Sequence, residues 1–540
     1  MNRIKIGWSE RDVTTYGPIN IPGFFNMRIS KGVVDPVYVT ALVVDSDDDM
    51  AIFLSVDTGA MRCCLLDEIR AKVARKNPEI PTDKILANAL HQHTAPSHAF
   101  DGGKIDDCLY DIYTHEELEK MGAFSKSDVP RDGLTIESSD AYRSFLSNQA
   151  SDAICEAYAN RREGGVSYAY SYAVVARSRR TMYFDDFSKR PDAASDPLTS
   201  LHGHAVMYGE TNDDNFAGYE AGADAFVNLM YTFDADNKLT GAIVNIPCPS
   251  QASEGETDRR ISADYWCEVR KSIRAKFGDD IKIIAQCAAG GDLSPHQLYY
   301  KKARMRKFRL KYGVEENAGY IDERMAAGGA MHPMGCRNEE CERRDIGERV
   351  AWAFEEALGW AKNDIKTELE VKHVVEKVNL SKRMITDDEY KLCCEQYEAL
   401  KDEPYRFDQG SPDENLDYNS MLSSKRRRFM GAIKRYETQN ENPKFETEIH
   451  VIKIGDIAFA SNQFELYMDF MHRIQARSPF EQTFIVQLAG ISGATGGSYL
   501  ATERAFENRG YSASMFCNQV SYEGGQELVE ETLKILKEIK

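Results

Sequence analysis

The stretch Leu86-Ala87-Asn88-Ala89-Leu90-His91-Gln92-His93-Thr94-Ala95-Pro96-Ser97 decides how the chain is read: an apolar run ends in two histidines one residue apart and is soon stopped by a proline. On a strand, residues i and i+2 share a face, so His91 and His93 would converge at the strand's mouth, as the first groups of a metal site do. A polar strand end accounts for the same pair, and only the rest of the chain separates the two readings.

Upstream, Val37 to Val44 and Ala51 to Val56 are near-continuous apolar and β-branched runs on either side of Asp45-Ser46-Asp47-Asp48-Asp49, which reads as two buried strands and an acidic turn. The second run ends at Asp57-Thr58-Gly59, Leu65 to Lys76 has the pattern of an amphipathic helix, and a strand resumes at Ile85. Strand, helix, strand is a crossover unit of a parallel pair. Functional groups gather beyond the carboxyl ends of such strands, which would set Asp57 beside His91; a cap or turn role suits Asp57 equally.

Downstream, Gly102 to Gly133 is polar and mixed, an irregular insertion, and Ser139 to Asn160 reads as a helix. Gly165 to Ala176, Leu239 to Ile246, Ile281 to Ala285, the stretch after Val451, and Phe484 to Leu488 read as strands. Helices are expected from Asp264 to Phe277, Phe464 to Arg477 and Gly525 to Lys540. The stretch from about 300 to 440 reads as helices and loops, and its run Lys425-Arg426-Arg427-Arg428 as an exposed helix face. The expected architecture is α/β: a layered mixed β-sheet core flanked by helices, with a helix-rich insertion.

A chain of 540 residues exceeds the size at which a single core stops growing, so it holds either several packed units or one large layered domain. Hydrophobic residues make up 42% and charged residues 28%, which is ordinary for a globular protein, and no apolar run reaches the length that spans a bilayer. The amino terminus has no apolar signal region and the twelve cysteines form no spaced framework, so the expectation is a cytoplasmic protein with reduced thiols. A net charge of −19 argues against nucleic acid as the main partner.

Four further stretches have a composition that chemistry would explain. Gly290-Gly291-Asp292-Leu293-Ser294-Pro295 follows a strand and could present Ser294 beside amide donors for an oxyanion, or be a plain glycine turn. Pro247-Cys248-Pro249 holds a thiol that could bind a metal or attack a carbonyl, or be an inert core cysteine. Glu465, at the start of an apolar helix, suits a cap or a metal ligand, and Tyr499 follows a glycine pair. Arg177-Ser178-Arg179-Arg180 could clamp an anionic group or be a solvated cluster. His332, Cys336 and Cys341 form a competing zinc candidate that lacks a fourth ligand.

Taken in order, these stretches resemble the amino-terminal catalytic domain of the neutral/alkaline non-lysosomal ceramidases, zinc amidases that cleave the N-acyl bond of ceramide, and the likeness covers most of the chain. His91-Gln92-His93-Thr94-Ala95-Pro96 stands for the family's His-Thr-His-Ser-Gly-Pro, and Gly291-Asp292-Leu293-Ser294-Pro295 matches its Gly-Asp-x-Ser-Pro. The resemblance implies a Zn2+ cofactor held by His91, Cys248, Glu465 and Tyr499. It further implies catalytic roles for His93, Ser294 and Asp292, with Arg179 and Arg180 as substrate-binding candidates. Cys248 stands where the family has a histidine ligand; a thiolate binds zinc at about 2.3 Å but makes it a weaker Lewis acid. The whole of 1–540 would then be one ceramidase-like catalytic domain with no carboxy-terminal immunoglobulin-like domain, acting in lipid metabolism on a small-molecule amide, with ceramide itself in question. A non-catalytic ceramidase-like binding protein, and a metal-independent hydrolase using Ser294 or Cys248, are the alternatives.

Overall fold

The computed structural model of the chain describes residues 2–61, 63–98, 139–191, 201–253, 259–313, 339–492 and 498–540. The first half supplies β1 (Lys5–Asp12), β2 (Tyr38–Asp45), β3 (Met50–Val56), α1 (Cys63–Lys76), β4 (Ile85–Ala89), α2 (Ser139–Ala159), β5 (Arg162–Tyr172), β6 (Phe226–Asp234), β7 (Leu239–Ile246), α3 (Tyr265–Phe277) and β8 (Lys282–Cys287). The second half adds α4 (Glu339–Ala361), β9 (Val371–Ser381), α5 (Asp387–Leu400), α6 (Pro412–Thr438), β10 (Lys444–Ile454), β11 (Ile457–Ser461), β12 (Glu465–Leu466), α7 (Met468–Gln475), β13 (Gln482–Val486), β14 (Tyr499–Leu500) and α8 (Tyr522–Ile539).

Eight strands form one mixed sheet in the order β8-β7-β6-β5-β1-β2-β3-β4, parallel at its two edges, where β7 pairs with β8 and β3 with β4. A second sheet runs β9-β10-β11-β13 and is parallel between β11 and β13. The two sheets bury one apolar layer between them: Leu42, Phe53, Leu86, Met230 and Ile243 face Ile452, Phe459, Phe484 and Val486. Removing these side chains from water is the main force that holds the sheets together.

Helices cover the outer faces. Ile69 and Val73 of α1 and Leu146 and Ile154 of α2 pack on Val43, Leu54 and Ala87. Trp266, Val269, Val350 and Phe354 of α3 and α4 join the cluster of Tyr231, Val244 and Ile283, and Phe470, Leu528 and Leu533 of α7 and α8 join that of Val451, Ala458 and Ile485. The result is helix, sheet, sheet, helix, the layered mixed α/β architecture expected from the sequence. No helix among the described residues is long and apolar enough to cross a membrane.

Three details differ from the sequence reading. β9 passes through the stretch expected to be mostly helices and loops, pairing with β10 from Val371–Ile454 to Ser381–Lys444. It is an edge strand in which Lys372, Glu376, Lys377 and Asn379 are exposed, so its apolar signal is thin. β4 stops at Ala89, and His91 has φ +63°, so the histidine pair sits in the turn after the strand rather than on it. The helix expected from Phe464 starts only at Met468, because Glu465 and Leu466 are paired as β12. The insertion from Gly102 to Gly133, and His332 and Cys336 of the competing zinc candidate, lie outside the described residues; Cys341 falls on α4.

Candidate active site

The eight-stranded sheet twists far enough that its two edges meet: Asn88 on β4 donates to the Ala285 carbonyl on β8 at 3.1 Å. The turns that follow β4, β7 and β8 therefore share one region. Leu90 accepts from Ser250 N at 3.2 Å, and His91 N is held by the Thr58 carbonyl at 3.0 Å. β12 is brought in by Gln487, whose side-chain oxygen accepts from Gly290 N and from Leu466 N, each at 3.0 Å. Gly291 N donates to the Leu466 carbonyl at 2.8 Å, and a Cβ at Gly291 would collide with the Glu465 backbone. Glycine is required there because two main chains touch.

Four side chains meet on this frame. His91 Nδ1 donates to the Gly59 carbonyl at 2.8 Å, which turns Nε2 toward Glu465 Oε2 at 3.3 Å. Arg179 reaches the same place: its Nη2 lies 3.6 Å from Glu465 Oε2 and donates to the Tyr499 hydroxyl at 3.0 Å and to the Gly291 carbonyl at 2.8 Å. Arg179 is 2% exposed, whereas the side chains of His91 and Glu465 retain 12% and 13%, so the imidazole and carboxylate border an opening and the guanidinium lies behind them.

The charges are strongly coupled. Burial alone would push the Glu465 carboxyl up, but the charge and hydrogen bond of His91, the Arg179 guanidinium and the Tyr499 hydroxyl outweigh it and hold Glu465 at about 2. Burial pulls the His91 imidazole down, and the Glu465 carboxylate and Gly59 carbonyl more than reverse this, so His91 is raised. Burial lifts the Tyr499 phenol well above its ordinary value, although Arg179 opposes this. The site is an imidazole–carboxylate pair backed by a guanidinium, next to a phenol whose burial opposes ionisation.

His93 joins through Gln251. Arg179 Nη1 donates to Gln251 Oε1 at 3.3 Å, so the Gln251 amide nitrogen faces His93 Nε2 at 2.8 Å and makes that ring nitrogen an acceptor. The rings of His91 and His93 stand edge to face with centroids 4.8 Å apart, and Phe24 packs edge-on against His93 at 5.9 Å. The histidines thus meet as the sequence implied, through a turn instead of a strand face.

Compared with solved structures, the chain superposes over its full length on neutral ceramidase from Pseudomonas aeruginosa, with a TM-score of 0.60, 13% identity and 75% of that chain covered. A ceramidase complexed with C2 gives a TM-score of 0.59 with the same identity and coverage. The fold is ceramidase-like. No protein-family model and no curated protein matches the sequence.

Within this ceramidase-like fold the sequence candidates divide. His91, His93, Glu465, Tyr499 and Arg179 are brought together; Cys248 is not. Its sulfur donates to the Pro249 carbonyl at 3.4 Å, and it is wholly buried in an apolar cluster, where burial pushes the thiol well above its ordinary value. Among the described residues no three His, Cys, Asp or Glu side chains gather as a metal group, so Cys248 does not complete a set with His91 and Glu465. The cause is local: Tyr265 holds the Cys248 carbonyl at 2.8 Å, and the chain exposes Gln251, three residues later, to the site.

Arg180 is also committed elsewhere. It pairs with Glu220 and donates to Ser512 Oγ at 3.1 Å and the Arg509 carbonyl at 2.6 Å, which anchors its strand to the carboxy-terminal region. Ser294 is buried, pairs through its backbone with Arg177, and uses its hydroxyl to accept from His296 N at 3.2 Å. Asp292 accepts from Met468 N at 3.0 Å, fixing the start of α7, while its carbonyl accepts from Arg179 N at 3.0 Å. Asp57 is paired with the buried Arg270. Gln251 and Gly59 are the residues that the sequence reading missed. Gln251 follows Pro247-Cys248-Pro249 by two residues, and a glutamine in a turn carries no signal of its own.

Proposed function

We propose that the chain is a hydrolase that cleaves an N-acyl amide bond, with His91, Glu465 and Tyr499 holding a zinc ion. The observation that carries this reading is the meeting of an imidazole, a carboxylate and a phenol around Glu465 in a ceramidase-like fold. Nitrogen and oxygen ligands of a tetrahedral zinc, each about 2.0–2.2 Å from it, lie roughly 3.3 Å from one another. His91 Nε2 and Glu465 Oε2 have that separation. The Nδ1–H bond to the Gly59 carbonyl is the outer contact that orients a metal-binding imidazole. Cys248 has no part in this set. Three protein ligands leave a position for water or substrate, as a catalytic site requires.

A bound zinc would supply Lewis acidity, polarising a carbonyl and easing ionisation of a water. The chain's own groups do the rest. Arg179, a buried permanent cation, is placed to stabilise negative charge gathering on the carbonyl oxygen. His93 Nε2 is an acceptor beside the same spot and is the group placed to take up and return a proton. Water is favoured over Ser294 as the attacking group, because the Ser294 hydroxyl is buried in its own turn with His296 N.

One observation favours a second reading, a metal-free binding site: Arg179 already neutralises Glu465 and bonds Tyr499 without any ion. Elemental analysis of gently purified protein, with hydrolysis of a panel of N-acyl amides before and after chelation, separates the two. Stoichiometric zinc and chelator-sensitive cleavage support the first reading. A protein that neither contains nor takes up zinc, and cleaves nothing, overturns it.

A further inference from the structure

The basic run on α6 does not behave as a single exposed face. Arg426 donates to the Leu400 carbonyl at 2.8 Å and also to that of Glu403. Arg428 turns the other way, onto aromatic rings: its guanidinium carbon stands 3.9 Å from the centroid of Phe25, 5.8 Å from that of Tyr511 and 5.6 Å from that of Phe516. Among the described residues no carboxylate pairs with it and no carbonyl accepts from it. Among the described residues Arg426 and Arg435 also lack a carboxylate partner, but they and Arg28 donate to backbone carbonyls, whereas Arg428 is held by rings.

Its aromatic seat is linked to the candidate site by ring contacts. Phe25 packs on Tyr511 at 5.6 Å, and Tyr511 packs on Tyr499 at 6.1 Å. Phe24, the residue before Phe25, packs on His93. The segment carrying both phenylalanines is fastened to α6, Asn26 to Asp417 and Met27 N to Ser420 Oγ at 2.9 Å. Arg28 stacks on Phe24 in a similar way, but it is spent on the carbonyls of Pro22 at 2.8 Å and His93 at 2.6 Å. An arginine stacked on a ring keeps its N–H edge available, in the fork geometry that suits a carboxylate.

We propose that Arg428 binds an anionic group of the substrate, so that the amide cleaved here carries a carboxylate near the scissile bond, as an N-acyl amino acid does, and is not a neutral lipid amide. This rests on the reading of the site as amide-cleaving, and the test keeps the two separable. N-dodecanoylglycine and N-dodecanoylethanolamine have similar size and differ in a carboxylate against a hydroxymethyl group. Both are offered to the full chain and to R428M and R428K, with binding measured by calorimetry and cleavage by product release. A charge-assisted contact corresponds to a preference of about tenfold or more for the glycine conjugate. That preference is expected in the wild type, narrowing as salt is raised, falling to near one in R428M and partly kept in R428K. Equal binding of the two amides, binding of neither, or an R428M variant that weakens both alike overturns the proposal. If both bind with the expected preference and neither is cut, the anion site stands and the hydrolase reading fails.

Discussion

Glu465 and Tyr499 are direct partners in a two-residue parallel bridge, with Leu466 opposite Leu500 beside them. Two potential ligands from separate loops are thereby set side by side by main-chain pairing, with His91, from the turn after β4, and Arg179, from between β5 and β6, reaching Glu465. Replacing Glu465 with glutamine keeps the bridge and removes the charge. E465Q is expected to lower zinc content and cleavage by at least the roughly 10–100-fold that even loss of an outer partner costs a metal site. Circular dichroism and elemental analysis on the same sample check that the fold persists while the metal is lost.

Cys248 gives the opposite expectation. Because its sulfur lies in an apolar cluster away from Glu465, C248A is expected to retain zinc and activity within a few-fold. C248H forces a larger polar ring into that cluster and is expected to destabilise by about 1–3 kcal/mol. Urea denaturation of both variants, with activity measured alongside, distinguishes a core residue from a ligand.

Arg179 is buried and its guanidinium reaches five groups, so R179M leaves Glu465 with only the charge of His91 to balance it. Breaking a buried charged pair from one side costs about 3–5 kcal/mol, and that loss is expected in the stability of R179M. R179K preserves the charge without the fork. It should recover much of the stability and little of the turnover, read as kcat against KM on the best amide found.

Asp292 sets a pH dependence. Burial pushes its carboxyl up to about 6, against the hydrogen bonds from Met468 and its own backbone. The folded chain therefore holds this proton more tightly than the unfolded chain does. Its contribution is fully present below the ordinary carboxyl value near 3.8 and is lost as pH rises through about 6. At pH 7 the ionised group costs on the order of 3 kcal/mol. D292N can still accept from Met468 N, so it is expected to be more stable than the wild type at pH 7, with the difference vanishing near pH 4. Melting curves across that interval test it.

The layers of the fold were legible because their strands are continuous apolar runs: Val37 to Val44, Ala51 to Val56 and Leu239 to Ile246 have no other way to be buried. β9 was not, since Lys372, Glu376 and Asn379 leave an edge strand with a diluted pattern. In the site, His91 and His93 were visible as a pair, yet the reason given was a strand face. The backbone instead turns at His91, a left-handed conformation that nothing in the residue type announces. Glu465 and Tyr499 were visible as separate candidates, but not as partners, because their pairing joins segments 34 residues apart in sequence by two bridge positions. Cys248 misled because a proline-flanked thiol looks reactive from sequence, while whether it faces a cavity or a core is decided by Tyr265, seventeen residues on.

The two-residue bridge also dictates when the site can come into being. His91 and Arg179 are synthesised early, but the partner that aligns Glu465 is at position 499. The contacts of His91 and Arg179 with Glu465 span 374 and 286 residues, and contacts of such separation form late and slowly, after local structure is in place. A nascent chain that has folded its eight-stranded sheet would still be inert.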